Sequence, residues 1–133
     1  MKELAERALN LAQVRGATYA DIRIVHLVTE RIDIKNGVVE GLSRDESQGF
    51  GVRVIVEGAW GFASSSRLAG EEIEKITSQA VEIAKASALV KREDVDLGSP
   101  EVHRERYRTP IEVDPFSVPL DEKIALLLAA DEE

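Results

Sequence analysis

The sequence predicts an α+β fold in which a mostly antiparallel sheet is packed by helices. Two turn dipeptides, Asn36-Gly37 and Glu57-Gly58, stand between segments of branched aliphatic residues, as two-residue hairpin turns do. Apolar residues recur every three or four positions near residues 2–15 and 71–90, and again from about residue 119, which predicts three helices. Because hairpins join strands of opposite direction, most of the sheet is expected to be antiparallel.

Each predicted helix carries signals at its ends. The first, Lys2–Arg15, is followed by Gly16, which suits a left-handed C-terminal cap. The second has two acids in its first turn, where they complement the helix dipole, and its predicted buried face consists of Ile73, Ile76, Ala80, Ile83 and Ala84. The third begins near Pro119 and shows no stop signal before the last residue. We therefore expect the chain to be cut from a longer protein.

Residues 20–37 are predicted to form one long bent strand. Apolar and charged residues alternate at both ends of the segment, but Val25 and Leu27 fall on the opposite parity, which either a bulge or a turn near residues 26–29 explains. One strand is favoured because no glycine, proline or asparagine interrupts Asp21–Lys35.

The segments after each hairpin are predicted from shorter patterns. The strand returning from Asn36-Gly37 is expected at Val38–Ser43, with a loop at residues 44–48. Residues 91–100 are polar and indicate a linker. The alternation at residues 103–113 predicts another strand, which Pro110 restricts to an edge or an end.

The glycine-rich stretch Gly49–Ser66 is either a phosphate-binding loop or a β-hairpin. A dinucleotide fingerprint requires a third glycine and a following helix, and a P-loop requires G-x-x-x-x-G-K-[ST]; neither pattern is present. A two-residue turn at Glu57-Gly58 instead pairs Ile55 with Trp60 and Arg53 with Phe62. The hairpin interpretation is therefore favoured.

The two faces of this hairpin have different predicted roles. One face carries Val52, Val54 and Val56 beside small residues, so the helix near 71–90 is expected to pack there. The other face presents Ile55, Trp60 and Phe62, with Arg53 able to stack on an aromatic ring. We predict that this second face is incompletely covered and serves as an interface; the alternative is that Trp60 is an ordinary core residue.

Composition excludes several classes of function. The length suits one domain, so residues 1–133 are predicted to form a single domain. The absence of cysteine excludes thiolate metal sites, and the two histidines are far apart in sequence. A net charge of −8 disfavours nucleic acid as a partner, and no apolar run reaches the roughly 18 residues of a membrane span. No catalytic, cofactor-binding or metal-binding residue is predicted in this chain.

Several strings, taken in order, resemble the N-terminal domain of the TldD/PmbA family, known as modulators of DNA gyrase and as zinc metallopeptidases. They are ATYADIRI, IKNGVVEG, GFGVRVIVEGAWGFASSS, AVEIAKAS and VDPFSVPLDEKIALL, preceded by the helix that ends at Gly16. The resemblance covers about Leu4 to Ala130, and the pairing of G-V-R-V with G-A-W-G-F-A is its most specific part.

The resemblance implies a cytoplasmic, zinc-dependent parent peptidase that cleaves extended peptides. The family's H-E-x-x-x-H motif and its cysteine ligand belong to a downstream part that this chain lacks, so no site residue transfers and zinc is implied only for the full-length protein. The implied partners are the chain's own C-terminal peptidase domain, a second subunit of the same or a paralogous chain, and peptide substrates. This chain would help to enclose the active site and mediate subunit or peptide contacts. The alternative is a partner-binding scaffold domain of a catalytically inactive paralogue.

Overall fold

The computed structural model describes residues 1–98, 101 and 103–132. Over these residues the chain forms three helices and three strands, together with a 3-10 turn at Pro115–Ser117. The helices are α1 (Lys2–Val14), α2 (Gly70–Ala88) and α3 (Leu120–Asp131), and the strands are β1 (Tyr19–Lys35), β2 (Val38–Val56) and β3 (Ala59–Ser65). The strand order is β1-β2-β3, and the predicted α+β fold with an antiparallel sheet is confirmed.

Both hairpin turns lie where the sequence places them. Asn36 and Gly37 have φ values of 50° and 72°, and Glu57 and Gly58 have 49° and 72°, the positive values that a type I′ turn requires. The second turn pairs Ile55 with Trp60, Val54 with Gly61 and Arg53 with Phe62, which confirms the predicted register. Alternate residues of these paired segments therefore lie on opposite faces of the sheet, as predicted.

The chain divides into two compact units. The first unit comprises the described residues within Met1–Leu27 and Ser47–Pro100, and the second those within Val28–Glu46 and Glu101–Glu133. Strands β1 and β2 each contribute residues to both units. The first unit therefore contains α1, α2, β3 and the first half of β1, and the second contains the Asn36-Gly37 hairpin and α3.

In the first unit, α1 and α2 share one core with a single face of the sheet. The buried cluster joins residues of all these elements: Ala8, Ala12, Phe50, Val52, Val54, Val56, Ala63, Ile73, Ile76, Ala80, Val81 and Ala84. Arg7 of α1 forms an ion pair with Glu74 of α2, with an Nη2–Oε1 distance of 2.7 Å. A Cβ atom added to Gly61 would lie 2.0 Å from the carbonyl oxygen of Ala80, so α2 approaches the backbone of β3 closely. The predicted packing of the long helix on the valine face is confirmed.

The second unit has no buried residue among those described. Helix α3 is joined to the hairpin by an ion pair between Lys123 and Glu30 and by a hydrogen bond of 2.5 Å that the Gly37 amide donates to Asp131. Hydrophobic residues occur all round this helix, yet Leu126 is 72% exposed. Polar contacts and partial apolar burial therefore hold this unit together.

Three sequence predictions are corrected. Residues 44–48, expected to be a loop, belong to β2, because the two-residue turn leaves all 17 residues of β1 in need of a paired strand. Residues 103–113, expected to be a strand, contain none, and their exposed alternation of charges offers no apolar face to bury. Ile83, assigned to the buried face of its helix, is 39% exposed, whereas Val81 is buried.

Amide hydrogen exchange is expected to differ between the two units. Local opening costs least where few apolar groups are buried, so amides of Val28–Lys35 should exchange faster than those of Val52–Val56, although both segments are strands. Exchange followed by mass spectrometry on peptides from both segments tests this expectation. Equal protection of the two segments would contradict it.

Candidate docking surface on the open face of the sheet

Alternation along the strands separates a covered face from an open face in the first unit. Ala20, Ile22 and Ile24 of β1 pack against the helix-covered core. Since successive side chains of a strand point to opposite faces, the intervening β1 residues lie on the face opposite the helices. We define the open face by these residues and their neighbours on the other two strands: Tyr19, Asp21, Arg23, Val25, Gly51, Arg53, Ile55, Trp60, Phe62 and Ser64.

Arg53 is held at the centre of the open face by two strands. Its Nε donates to Oδ2 of Asp21 at 2.7 Å, and its guanidinium lies 4.9 Å from the ring centroid of Trp60. The Tyr19 hydroxyl donates to the same Asp21 oxygen at 2.9 Å, and the Tyr19 ring meets Trp60 edge to face at 5.9 Å. The hydrogen bond to Asp21 raises the pKa of Arg53, and burial opposes this effect. An arginine guanidinium is in any case charged throughout the ordinary pH range.

Beside this cluster, Phe62 forms one wall of a cleft. Its ring lies over Gly51, where an added Cβ atom would come within 2.8 Å of the ring, and its side chain is 57% exposed. The cleft has a volume of about 420 Å³ and is lined by Val25, Phe62 and the Arg53–Asp21 pair, among others. The open face therefore combines fixed aromatic and charged groups with an unfilled apolar depression.

The four residues that the sequence singled out are brought together here, but with unequal exposure. Ile55 is only 4% exposed, Trp60 and Arg53 are half-buried, and Phe62 is largely exposed. The predicted stacking of Arg53 on an aromatic ring is confirmed. Tyr19 and Asp21 were missed, although the alternation of β1 placed them on the same face as each other. Their role in an interface, like that of the other four, stays a prediction.

The described residues do not fit a metal centre. The sequence contains no cysteine, and nowhere in the described ranges do three His, Asp or Glu side chains converge in a way that could hold an ion. His26 belongs to the first unit and His103 to the second. Over the same ranges, no helix is long and apolar enough to cross a membrane.

The first unit is a small α+β unit in which helices cover one face of the sheet and leave the other open. Residues 20–84 match the family described as PmbA/TldA metallopeptidase domain 1. A metalloprotease of Methanocaldococcus jannaschii is 31% identical over 83% of this chain, and one of Methanothermobacter thermautotrophicus is 32% identical over 82% of it. The chain belongs to the TldD/PmbA metallopeptidase family.

The relatives also show how much of such a protein this chain represents. It spans 24% and 23% of the length of the two metalloproteases. The crystal structure of TldE from Thermococcus kodakarensis resembles 98% of the chain with a TM-score of 0.71 at 18% identity, and 30% of that chain is covered. A Bacteroides thetaiotaomicron protein described as a modulator of DNA gyrase gives a TM-score of 0.72 at 20% identity, also with 30% covered. At these identities, the two structures support the fold alone.

Proposed function

We propose that this chain is the non-catalytic N-terminal domain of a TldD/PmbA-like metallopeptidase that degrades or processes extended peptides. In this proposal the open face docks against the peptidase part of the same polypeptide, and the domain thereby helps to enclose the active site. The observation that carries the proposal is Phe62, a large aromatic side chain that is 57% exposed on a sheet face opposite both helices.

Coverage of the sheet supports this assignment of the open face. A sheet with apolar residues on both faces needs cover on both, and here α1 and α2 pack on the same side. Since the metalloprotease relatives are about three and a half times as long as this chain, a large downstream part is available to cover the other side. Aromatic residues with arginine are also the types enriched at protein interfaces.

The Arg53 side chain on the open face is already held in one position, which favours docking energetically. Arg53 is already oriented by Asp21 and Trp60, so little side-chain freedom is left to lose when a partner binds. Its charge is also balanced by the Asp21 carboxylate, so covering the pair does not leave a charge without a counter-ion. Phe62 supplies an exposed apolar side chain that the docked partner would cover.

The edges of the sheet support the finer proposal that the domain contacts peptide. Strands β1 and β3 are the outer strands, so each has one edge that no other described strand covers. An extended peptide binds such an edge through main-chain hydrogen bonds, with little dependence on its side chains. This mode suits a peptidase that accepts extended chains, and the active site itself would lie in the downstream part.

Side-chain footprinting with hydroxyl radicals tests the docking. In the 133-residue chain Phe62 should be oxidised readily, and in the full-length protein it should be strongly protected. The measurement is repeated at dilutions at which the full-length protein is monomeric. Equal oxidation of Phe62 in both proteins would contradict the docking, and protection lost on dilution would show that a second subunit, not the same polypeptide, covers the face.

A matched pair of variants separates docking from folding. Phe62→Ala should lower the unfolding free energy of the 133-residue chain by less than about 1 kcal/mol, because the side chain is already mostly solvated. It should lower the melting temperature of the full-length protein clearly more. Tyr107→Ala, at another exposed aromatic residue, is the control and should affect neither. Equal effects of Phe62→Ala in both proteins would argue against docking.

Peptidase activity is tested separately. Chelator-sensitive cleavage of unfolded peptides by the full-length protein is expected, and the rest of the reading frame should contain H-E-x-x-x-H. Loss of that motif, with docking retained, would support the scaffold alternative.

A further inference from the structure

We propose that a cleft in the second unit binds a peptide segment in which a carboxylate lies next to a large aliphatic side chain. The cleft has a volume of about 490 Å³, and we name it the Phe116 cleft after its central residue. Its apolar lining consists of Leu42, Phe116, Val118, Pro119 and Leu120, and Arg44 stands at its rim. This site involves none of the open-face residues, so this proposal is independent of the proposed docking.

Hydrogen bonds hold the backbone around Phe116. Phe116 lies in the 3-10 turn Pro115–Ser117, whose first residue is a proline. Oδ1 of Asp114 accepts a hydrogen bond of 2.9 Å from the Phe116 amide, and the carbonyl oxygen of Asp114 accepts bonds from both the amide and the hydroxyl of Ser117. A capped turn of this kind fixes the backbone from which the Phe116 side chain projects.

Glu30 and Arg44 line the cleft, Lys123 lies near the Phe116 ring, and Glu30 and Lys123 neutralise each other. Lys123 donates to Glu30, and the side chains of this pair are only 18% and 17% exposed. The Lys123 ammonium also lies 5.9 Å from the ring centroid of Phe116. Glu30 therefore does not repel an incoming anion as a free carboxylate would.

Arg44 supplies the positive charge that would bind a carboxylate. Its guanidinium lies 5.7 Å from the ring centroid of Phe116, and it forms an ion pair with none of the acidic residues in the described ranges. Stacking on a ring uses the face of the guanidinium and leaves its N–H donors, which lie in the plane, available. A carboxylate accepts two of these donors in parallel, which gives both affinity and orientation.

The apolar lining determines which kind of side chain would lie beside the carboxylate. Phe116 and Leu42 are 44% and 52% exposed, so an aliphatic side chain placed between them would remove apolar surface of both from water. A bare anion such as phosphate makes no use of this lining. The combination therefore selects a leucine-like side chain beside a carboxylate, which either a peptide C-terminus or an adjacent acidic residue provides.

Binding is tested by titrating the isotope-labelled 133-residue chain with three hexapeptides and following amide chemical shifts by NMR. The first ends in two leucines and a free carboxylate, the second is its C-terminal amide, and the third is that amide with a glutamate beside the leucines. The first or the third should bind with shifts at Leu42, Arg44, Phe116 and Leu120, and the neutral amide should bind about tenfold more weakly or not at all. Which of the two charged peptides binds identifies the source of the carboxylate.

Variants at two arginines give the matched comparison. Arg44→Gln should weaken binding of the charged peptide about tenfold, and Arg104→Gln, at an exposed arginine outside the cleft, should leave it unchanged. The NMR spectrum of each variant shows whether the second unit remains folded, and Arg44→Lys replaces Arg44→Gln if it does not. Absence of binding by every peptide, equal binding of the neutral amide, equal binding by the Arg44 variant, or shifts confined to other surfaces would each overturn the proposal. Inorganic phosphate binding as tightly as the peptides would also overturn it.

Discussion

Replacing Gly61 with alanine is expected to destabilise the first unit by about 3 kcal/mol or more. The added Cβ atom would lie 2.0 Å from the carbonyl oxygen of Ala80 and 2.6 Å from the amide nitrogen of Ala84. Both are backbone atoms of α2, so the clash is relieved only if the helix moves away from β3. Such a movement would separate the buried residues of α2 from the sheet, because packed interiors do not deform continuously.

Urea unfolding followed by the fluorescence of Trp60 measures this effect, since Trp60 is the only tryptophan of the chain. Gly70→Ala is the control, because its added Cβ atom meets only the end of the flexible Arg7 side chain. This control should change the unfolding free energy by less than about 0.5 kcal/mol. A similarly small effect of Gly61→Ala would show that α2 does not pack against β3 as closely as the structure indicates.

Replacing Ile73 with alanine is expected to cost about 2–5 kcal/mol, the range for deleting a buried aliphatic side chain. Ile73 is fully buried and belongs to the cluster that joins α1, α2 and the sheet. The loss combines the removed transfer free energy with the cavity that remains between these elements. The same urea titration measures it.

Ile83→Ala is the matched control, because it makes the same substitution in the same helix at a side chain that is 39% exposed. Its effect should stay below about 1 kcal/mol. Equal effects of the two substitutions would mean that the buried face of α2 is oriented differently. This comparison also tests directly the residue at which the periodicity of the sequence predicted the wrong exposure.

The sequence by itself determined both hairpin turns and the pairing of β2 with β3. Asn36-Gly37 and Glu57-Gly58 adopt the positive φ values of type I′ turns, which Asn and Gly favour, and the second turn sets the register of β2 and β3. Once Val54 pairs with Gly61, strict alternation assigns each side chain of the paired segments Phe50–Val56 and Ala59–Ser65 to a face. These features were predictable because they depend on residues close together in the chain.

Only the tertiary structure decided which elements cover which face. The sequence left open whether α1 would share the cover of the aromatic face, but both helices pack on the valine side and leave Phe62 exposed. It also ended the return strand at Ser43, whereas pairing with the 17 residues of β1 extends β2 to Val56. Arg44, which this extension places in a strand, meets Phe116 from more than 70 residues away and forms the rim of the Phe116 cleft. The physical reason is that the sequence shows which face of a helix or strand is apolar and must be buried. Which element buries that face depends on how all the elements pack together.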